Sequence, residues 1–89
     1  MQNKYLEITF RKGKPLAAYL YFSKKTVIKA VKTEQMASGL VVDYDENDKP
    51  IGLEIITPQQ VTVTEINNVL SRLAISPASD EELSPLKAA

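Results

Sequence analysis

The chain has 89 residues, 44% of them apolar and 25% charged, which sets the scale of one small globular domain with a modest core. Its 11 basic and 11 acidic side chains balance, so the molecule as a whole has no electrostatic attraction for nucleic acid or for an anionic membrane. It contains no cysteine and no histidine, which excludes disulfides, thiolate nucleophiles, thiolate-bound zinc and iron–sulfur clusters, and removes the commonest general base and metal ligand.

Tyr5 to Phe10 alternates, with Leu6, Ile8 and Phe10 on one side and Tyr5, Glu7 and Thr9 on the other. Successive strand side chains point to opposite faces, so this is the pattern of a half-buried strand. Arg11 to Pro15 reads as a turn: Gly13 is free to adopt positive φ, and Pro15, which has no amide hydrogen, suits a strand entrance. Leu16 to Phe22 is a second strand, with Leu16, Ala18, Leu20 and Phe22 predicted to face the core and Ala17, Tyr19 and Tyr21 the other side. After the polar break Ser23-Lys24-Lys25, the β-branched run from Thr26 to about Glu34 predicts a third strand, although both of its faces mix apolar and polar groups. Gln35 to Gly39 reads as a connection.

Leu40 to Thr57 carries the strongest pattern in the chain. Leu40, Val42 and Tyr44 alternate with Val41, Asp43 and Asp45, and Ile51, Leu53 and Ile55 alternate with Gly52, Glu54 and Ile56. The polar stretch from Glu46 to Pro50 between them predicts an antiparallel hairpin. Beyond Pro58, the run Thr62-Val63-Thr64-Glu65 has the spacing of a capping box. Ile66, Val69, Leu70 and Leu73 then recur at the spacing of one helical stripe, over a helix of about 12 residues in helix-geometry terms. Such a helix is marginal alone, so it must dock its stripe on the sheet. Residues 76–89, with two prolines and mostly acidic charge, predict a flexible tail. The expected organisation is a single α+β domain over residues 1–75, an antiparallel meander of about five strands with one C-terminal helix packed on one face, followed by that tail.

The hairpin invites a metal reading. Asp43, Asp45 and Asn47 sit at alternate positions and Glu54 lies eleven residues after Asp43, offsets close to those of a calcium-binding EF-hand loop. Asp48 stands where that loop needs glycine, and the flanks are strands rather than helices, so no metal site is expected here. Asp43 and Glu54 fall on the same mixed face, where a carboxylate pair can do acid–base work if burial raises one of them. No nucleophile–base pair and no glycine-rich phosphate loop accompanies them. A small metal-assisted or acid–base enzyme using Asp43, Glu54 and Tyr44 of the acidic hairpin, to which Asp45 also belongs, is the alternative, and a non-enzymatic protein without a cofactor is the leading reading.

Tyr5, Tyr19 and Tyr21 share the face opposite the predicted core, where Val41 and Ile56 add apolar area. Tyrosine suits interfaces because its ring is apolar while its hydroxyl stays wet. These five residues are the predicted partner-binding set, for a protein partner or a second copy of the chain in a homodimer. Nucleic acid is the weakest of the three readings, resting on Arg11, Lys12, Lys14, Lys24, Lys25, Lys29 and Lys32 in the first part of the chain. No apolar run approaches the roughly 20 residues that span a bilayer. The start MQNKYLEITF lacks the apolar core of a signal peptide, so a cytoplasmic protein is expected.

The segment GLVVDYDENDKPIGLEIITP, preceded by YLEITF and LAAYLYF, resembles a family of small prokaryotic proteins catalogued as domain of unknown function 2283. Val41, Asp43, Tyr44 and Asp45 match its V-x-D-Y-D strand, and Gly52, Glu54 and Ile55 its G-x-E-I strand. The resemblance covers roughly residues 4–58. It departs at the turn from Phe10 to Pro15, where members show an aspartate-rich Y-D-x-x-x-D-A-L-Y run. It implies a small sheet-plus-helix fold and no catalytic residues. Some relatives look like halves of two-gene pairs with a toxin-like partner, which implies an antitoxin-like binding role by analogy.

Overall fold

The computed structural model describes residues 4–23 and 29–87. Five strands form: β1 (Tyr5–Arg11), β2 (Lys14–Tyr21), β3 (Lys32–Ala37), β4 (Leu40–Tyr44) and β5 (Pro50–Ile55). All neighbouring pairs are antiparallel, and the helix α1 (Val63–Arg72) follows on the C-terminal side. The chain is thus α+β, as its periodicities predict.

The strand order is β1-β2-β5-β4-β3, not the sequential order of a meander. β5 enters between β2 and β4, because its Leu53 and Ile55 are completely buried and a central strand hides them best. β3 becomes an edge and is mostly exposed, which is why its two faces gave no clear inward side. It also begins later than expected. Of the predicted strand 26–34, residues 26–28 lie outside the described residues, 29–31 are not strand, and the ladder runs on through Gln35 to Ala37. The predicted connection shrinks to Ser38-Gly39, with Gly39 at φ +76.

Three register shifts place single residues out of step. Thr9 pairs with Ala17 but Phe10 with Pro15, so Leu16 has no opposite number in β1. An extra residue on one strand is a bulge, and it inverts the alternation beyond it. Pro15 consequently takes the buried position predicted for Leu16, while Leu16 and Phe10 are about half exposed (51% and 52%). The β1–β2 turn closes with Lys12 and Gly13 both at positive φ, the backbone of a two-residue hairpin loop that matches strand twist.

One face of the sheet contributes Ala18, Leu20, Phe22, Leu40, Val42, Tyr44, Leu53 and Ile55 to the core, with Leu6 and Ile8 packed at its margin. Helix α1 answers with Ile66, Val69 and Leu70, all buried, and with Leu73 packed against the cluster. Its start is the expected box: Thr62 Oγ1 accepts from the Glu65 amide at 3.1 Å, and the Glu65 carboxylate accepts from the Thr62 amide at 2.9 Å. Its end is closed by the Ile75 amide donating to the Leu70 carbonyl at 2.9 Å, with Ala74 in the left-handed region at φ 59.

The predicted flexible tail is instead part of the core. Ser79 and Glu82 form a second capping box over the short helix α2 (Asp80–Leu83), and a 3-10 turn (Ser84–Lys87) continues it. Ala78, Leu83 and Leu86 are buried in the same cluster as the sheet and α1. The Asn67 side chain fixes this segment to α1, accepting from the Ala78 amide at 2.8 Å and donating to the Ala78 carbonyl at 3.0 Å. Lys4 Nζ donates to Ser76 Oγ at 2.8 Å and ties it to the start of β1. A ten-residue helix is too short to roof five strands, so the segment from Ala78 to Leu86 supplies the rest of the cover. The domain therefore extends beyond residue 75; Ala88 and Ala89 lie outside the described residues.

Candidate functional site

The uncovered face of the sheet is set by register. Across β1, β2, β5, β4 and β3, one row runs Glu7, Tyr19, Glu54, Val41 and Gln35, and the next runs Tyr5, Tyr21, Gly52, Asp43 and Thr33. The three tyrosines form one aromatic group. The rings of Tyr5 and Tyr21 lie 5.8 Å apart, and those of Tyr19 and Tyr21 meet edge to face at 4.6 Å. Tyr5 is exposed, Tyr19, Tyr21 and Val41 are partly buried, and Ile56 is 48% exposed. The five residues predicted to meet a partner thus share one face, although Tyr19 is largely occupied within the molecule.

That occupation explains the glycine. The Tyr19 ring leaves β2, crosses β5 and delivers its hydroxyl to Asp43 Oδ2 on β4 at 2.9 Å. Two strand spacings are about 10 Å, which a tyrosine spans only by lying flat over the strand between. A Cβ at Gly52 would overlap the Tyr19 hydroxyl and ring, so only glycine leaves the path open. Burial, followed by the bond to Asp43, pushes the Tyr19 phenol well above its ordinary value.

The sign of the resulting pH dependence follows. The folded chain holds the phenol proton more tightly than the unfolded chain, so this stability is complete below about pH 10 and is lost as pH rises towards the folded value. Urea midpoints are expected to fall above about pH 10, and to fall less steeply in Tyr19→Phe. Identical slopes for the two proteins would remove Tyr19 from that account.

The acidic hairpin does not converge on a common point. Asp43 accepts from Tyr19. Asp45 Oδ1 accepts from the amides of Asn47 and Lys49, at 2.8 and 3.0 Å, and so shapes its own turn. Asp48, at φ 64, pairs with Lys32 at 2.6 Å. Glu54 stands exposed one row from Asp43. Among the described residues, no group of three or more histidine, cysteine, aspartate or glutamate side chains is placed to hold a metal ion. Tyr44, on the opposite face, is buried. Its hydroxyl donates to Glu34 at 3.0 Å and Lys32 lies 4.7 Å from the ring centre. Burial and then that bond raise its phenol. Its role is to close the edge between β3 and β4.

The bridge from Tyr19 over Gly52 to Asp43 was missed by sequence reasoning, which placed the three residues on the correct face without joining them. A glycine inside a strand was the available signal, since it often marks the close approach of another group.

Fold and surface together define a small α+β protein with one face of its sheet roofed and, among the described residues, the other open. Residues 17–57 match the family described as Protein of unknown function (DUF2283), the family that the hairpin motif resembles. The matched segment contains Tyr19, Asp43 and Gly52, and leaves out β1, the departing turn and all of the C-terminal cover. No curated protein and no solved structure matches the chain. Among the described residues, no helix is long and apolar enough to cross a membrane.

Proposed function

We propose that the protein is a cytoplasmic, non-enzymatic interaction module whose tyrosine-bearing face meets another protein surface, either a second copy or a partner in the manner of an antitoxin. The supporting observation is the division of the sheet. Helix α1 and the segment from Ala78 to Leu86 bury one face, while the other keeps Tyr5, Tyr21, Val41 and Ile56 wholly or partly in water. Aromatic and aliphatic groups gathered on one open surface gain by losing that water to a partner. The carboxylates beside them serve structure: Asp43 holds Tyr19, and Asp45 holds its turn. That leaves the acidic hairpin little capacity for chemistry.

Light scattering on the purified chain, together with capture from native lysate, tests the reading. The expected result is a mass above the monomer or a partner recovered, lost in either case when Tyr5→Ala and Ile56→Asp are combined. A strict monomer that recovers nothing overturns it.

A further inference from the structure

The open face is not uniform along the strands, and its polarity selects an occupant. Starting from the row of Glu7, Tyr19 and Glu54, the next row towards the β1–β2 turn holds Thr9 and Ala17. Continuing the pairing of Ala18 with Ile55 by one step brings Ile56 beside Ala17 in that row. The row after it pairs Arg11 with Lys14. Acid flanks this small, largely apolar row on one side and base on the other, and the row of Tyr5 and Tyr21 lies beyond the acid. Each same-face row advances about 6.7 Å, so the acidic and basic rows are about 13 Å apart with Ile56 midway. A shallow depression of about 170 Å³ falls between this row and the acidic one, lined by Glu7, Thr9, Ala17, Ala18, Tyr19 and Glu54.

We infer that the occupant of this face is a second copy of the chain, in a two-fold face-to-face dimer whose axis runs along the Thr9–Ala17–Ile56 row. This rests on the interaction-module reading and deepens it. Rotation about that row reverses the strands and superimposes opposite charges. Arg11 of one copy meets Glu7 of the other, and Lys14 meets Tyr19 and the neighbouring Glu54, each contact occurring twice by symmetry. Lys14 is thereby offered both a carboxylate and an aromatic ring. The exposed Ile56 lies near the axis with the half-exposed Leu16 in the same hollow, and small Ala17 and Thr9 continue the row across β2 and β1, where two sheets can approach to about 10 Å. An apolar centre with a charged rim is the anatomy of a specific interface. The overall neutrality of the chain fits self-association, since two identical strongly charged molecules repel.

Sedimentation equilibrium with two charge-reversed chains tests the inference. One carries Glu7→Lys and Glu54→Lys, the other Arg11→Glu and Lys14→Glu, all at exposed positions. The native chain is expected to dimerise, and more weakly at high salt. Each reversed chain alone should dimerise at least about tenfold more weakly, and an equimolar mixture of the two should recover the dimer. If either reversal unfolds the chain, Glu54→Gln and Lys14→Gln carry the test through smaller shifts of the same sign. A native monomer at every concentration overturns the inference, and so does a dimer indifferent to all of these changes. If that monomer still captures a partner, and loses it with Tyr5→Ala and Ile56→Asp, the face remains an interface and only the second copy is eliminated.

Discussion

Gly52→Ala is expected to destabilise the protein by about 1–3 kcal/mol, the range for forcing volume into a packed site. The methyl group would occupy the space of the Tyr19 ring and hydroxyl. The ring must then lift from β5, and its bond to Asp43, made across that strand, is lost with it. The consequence is a defined non-additivity. In a Tyr19→Ala background the obstacle is gone, so adding Gly52→Ala should cost nothing and gain up to about 0.5–1 kcal/mol, the intrinsic preference for alanine over glycine within a strand. Urea denaturation of the four proteins of this cycle measures the coupling. Equal costs in both backgrounds would show that Gly52 is required for backbone reasons and not for the tyrosine. Because the matched family segment contains all three residues, the cycle also asks whether the G-x-E and D-Y-D elements are joined through Tyr19.

The second large effect is expected far from that face. Leu83→Ala should cost about 2–4 kcal/mol, the usual penalty for emptying a buried leucine site. Leu83 is 1% exposed and shares the core cluster with the sheet and α1. Ending the chain after Pro77 removes Ala78, Leu83 and Leu86 together, with the two bonds from Asn67. A domain of this size has roughly 5–10 kcal/mol of stability in all, so the shortened chain is expected to lose its cooperative thermal transition. A loosely attached tail predicts the opposite, with Leu83→Ala shifting stability by less than about 0.5 kcal/mol, as surface changes do. Thermal unfolding followed by circular dichroism separates the two outcomes.

These two cases mark where sequence reasoning held and where it stopped. Period-two alternation identified β1, β2, β4 and β5 and their inward residues other than at Phe10 and Leu16, because a half-buried strand must write its burial into every second position. The helix was equally legible, since Thr62, Glu65 and the stripe from Ile66 to Leu73 act within a few residues of one another. The C-terminal segment carried a comparable signal in Ser79 and Glu82, but two prolines and three acidic residues outweighed it. Its leucines are the only apolar residues of any size there, and a pair of leucines reads as incidental until a gap in the core requires them. The bulge at Leu16 was invisible, because alternation alone has no way to announce the residue at which it slips.

By itself, then, the sequence determined β1, β2, β4, β5 and α1, which sheet face is apolar, and that Tyr5, Tyr19 and Tyr21 lie together opposite it. Those properties follow from local periodicity and from the chemistry of single side chains. Only the tertiary structure decided that β5 is central, that Tyr19 crosses Gly52 to reach Asp43, that residues 78–86 complete the roof, and that an acidic and a basic row flank the row of Thr9 and Ala17 on the open face. Each of these depends on which strands become neighbours and in what register. That choice is made by the burial of the whole apolar surface at once, which no local pattern encodes.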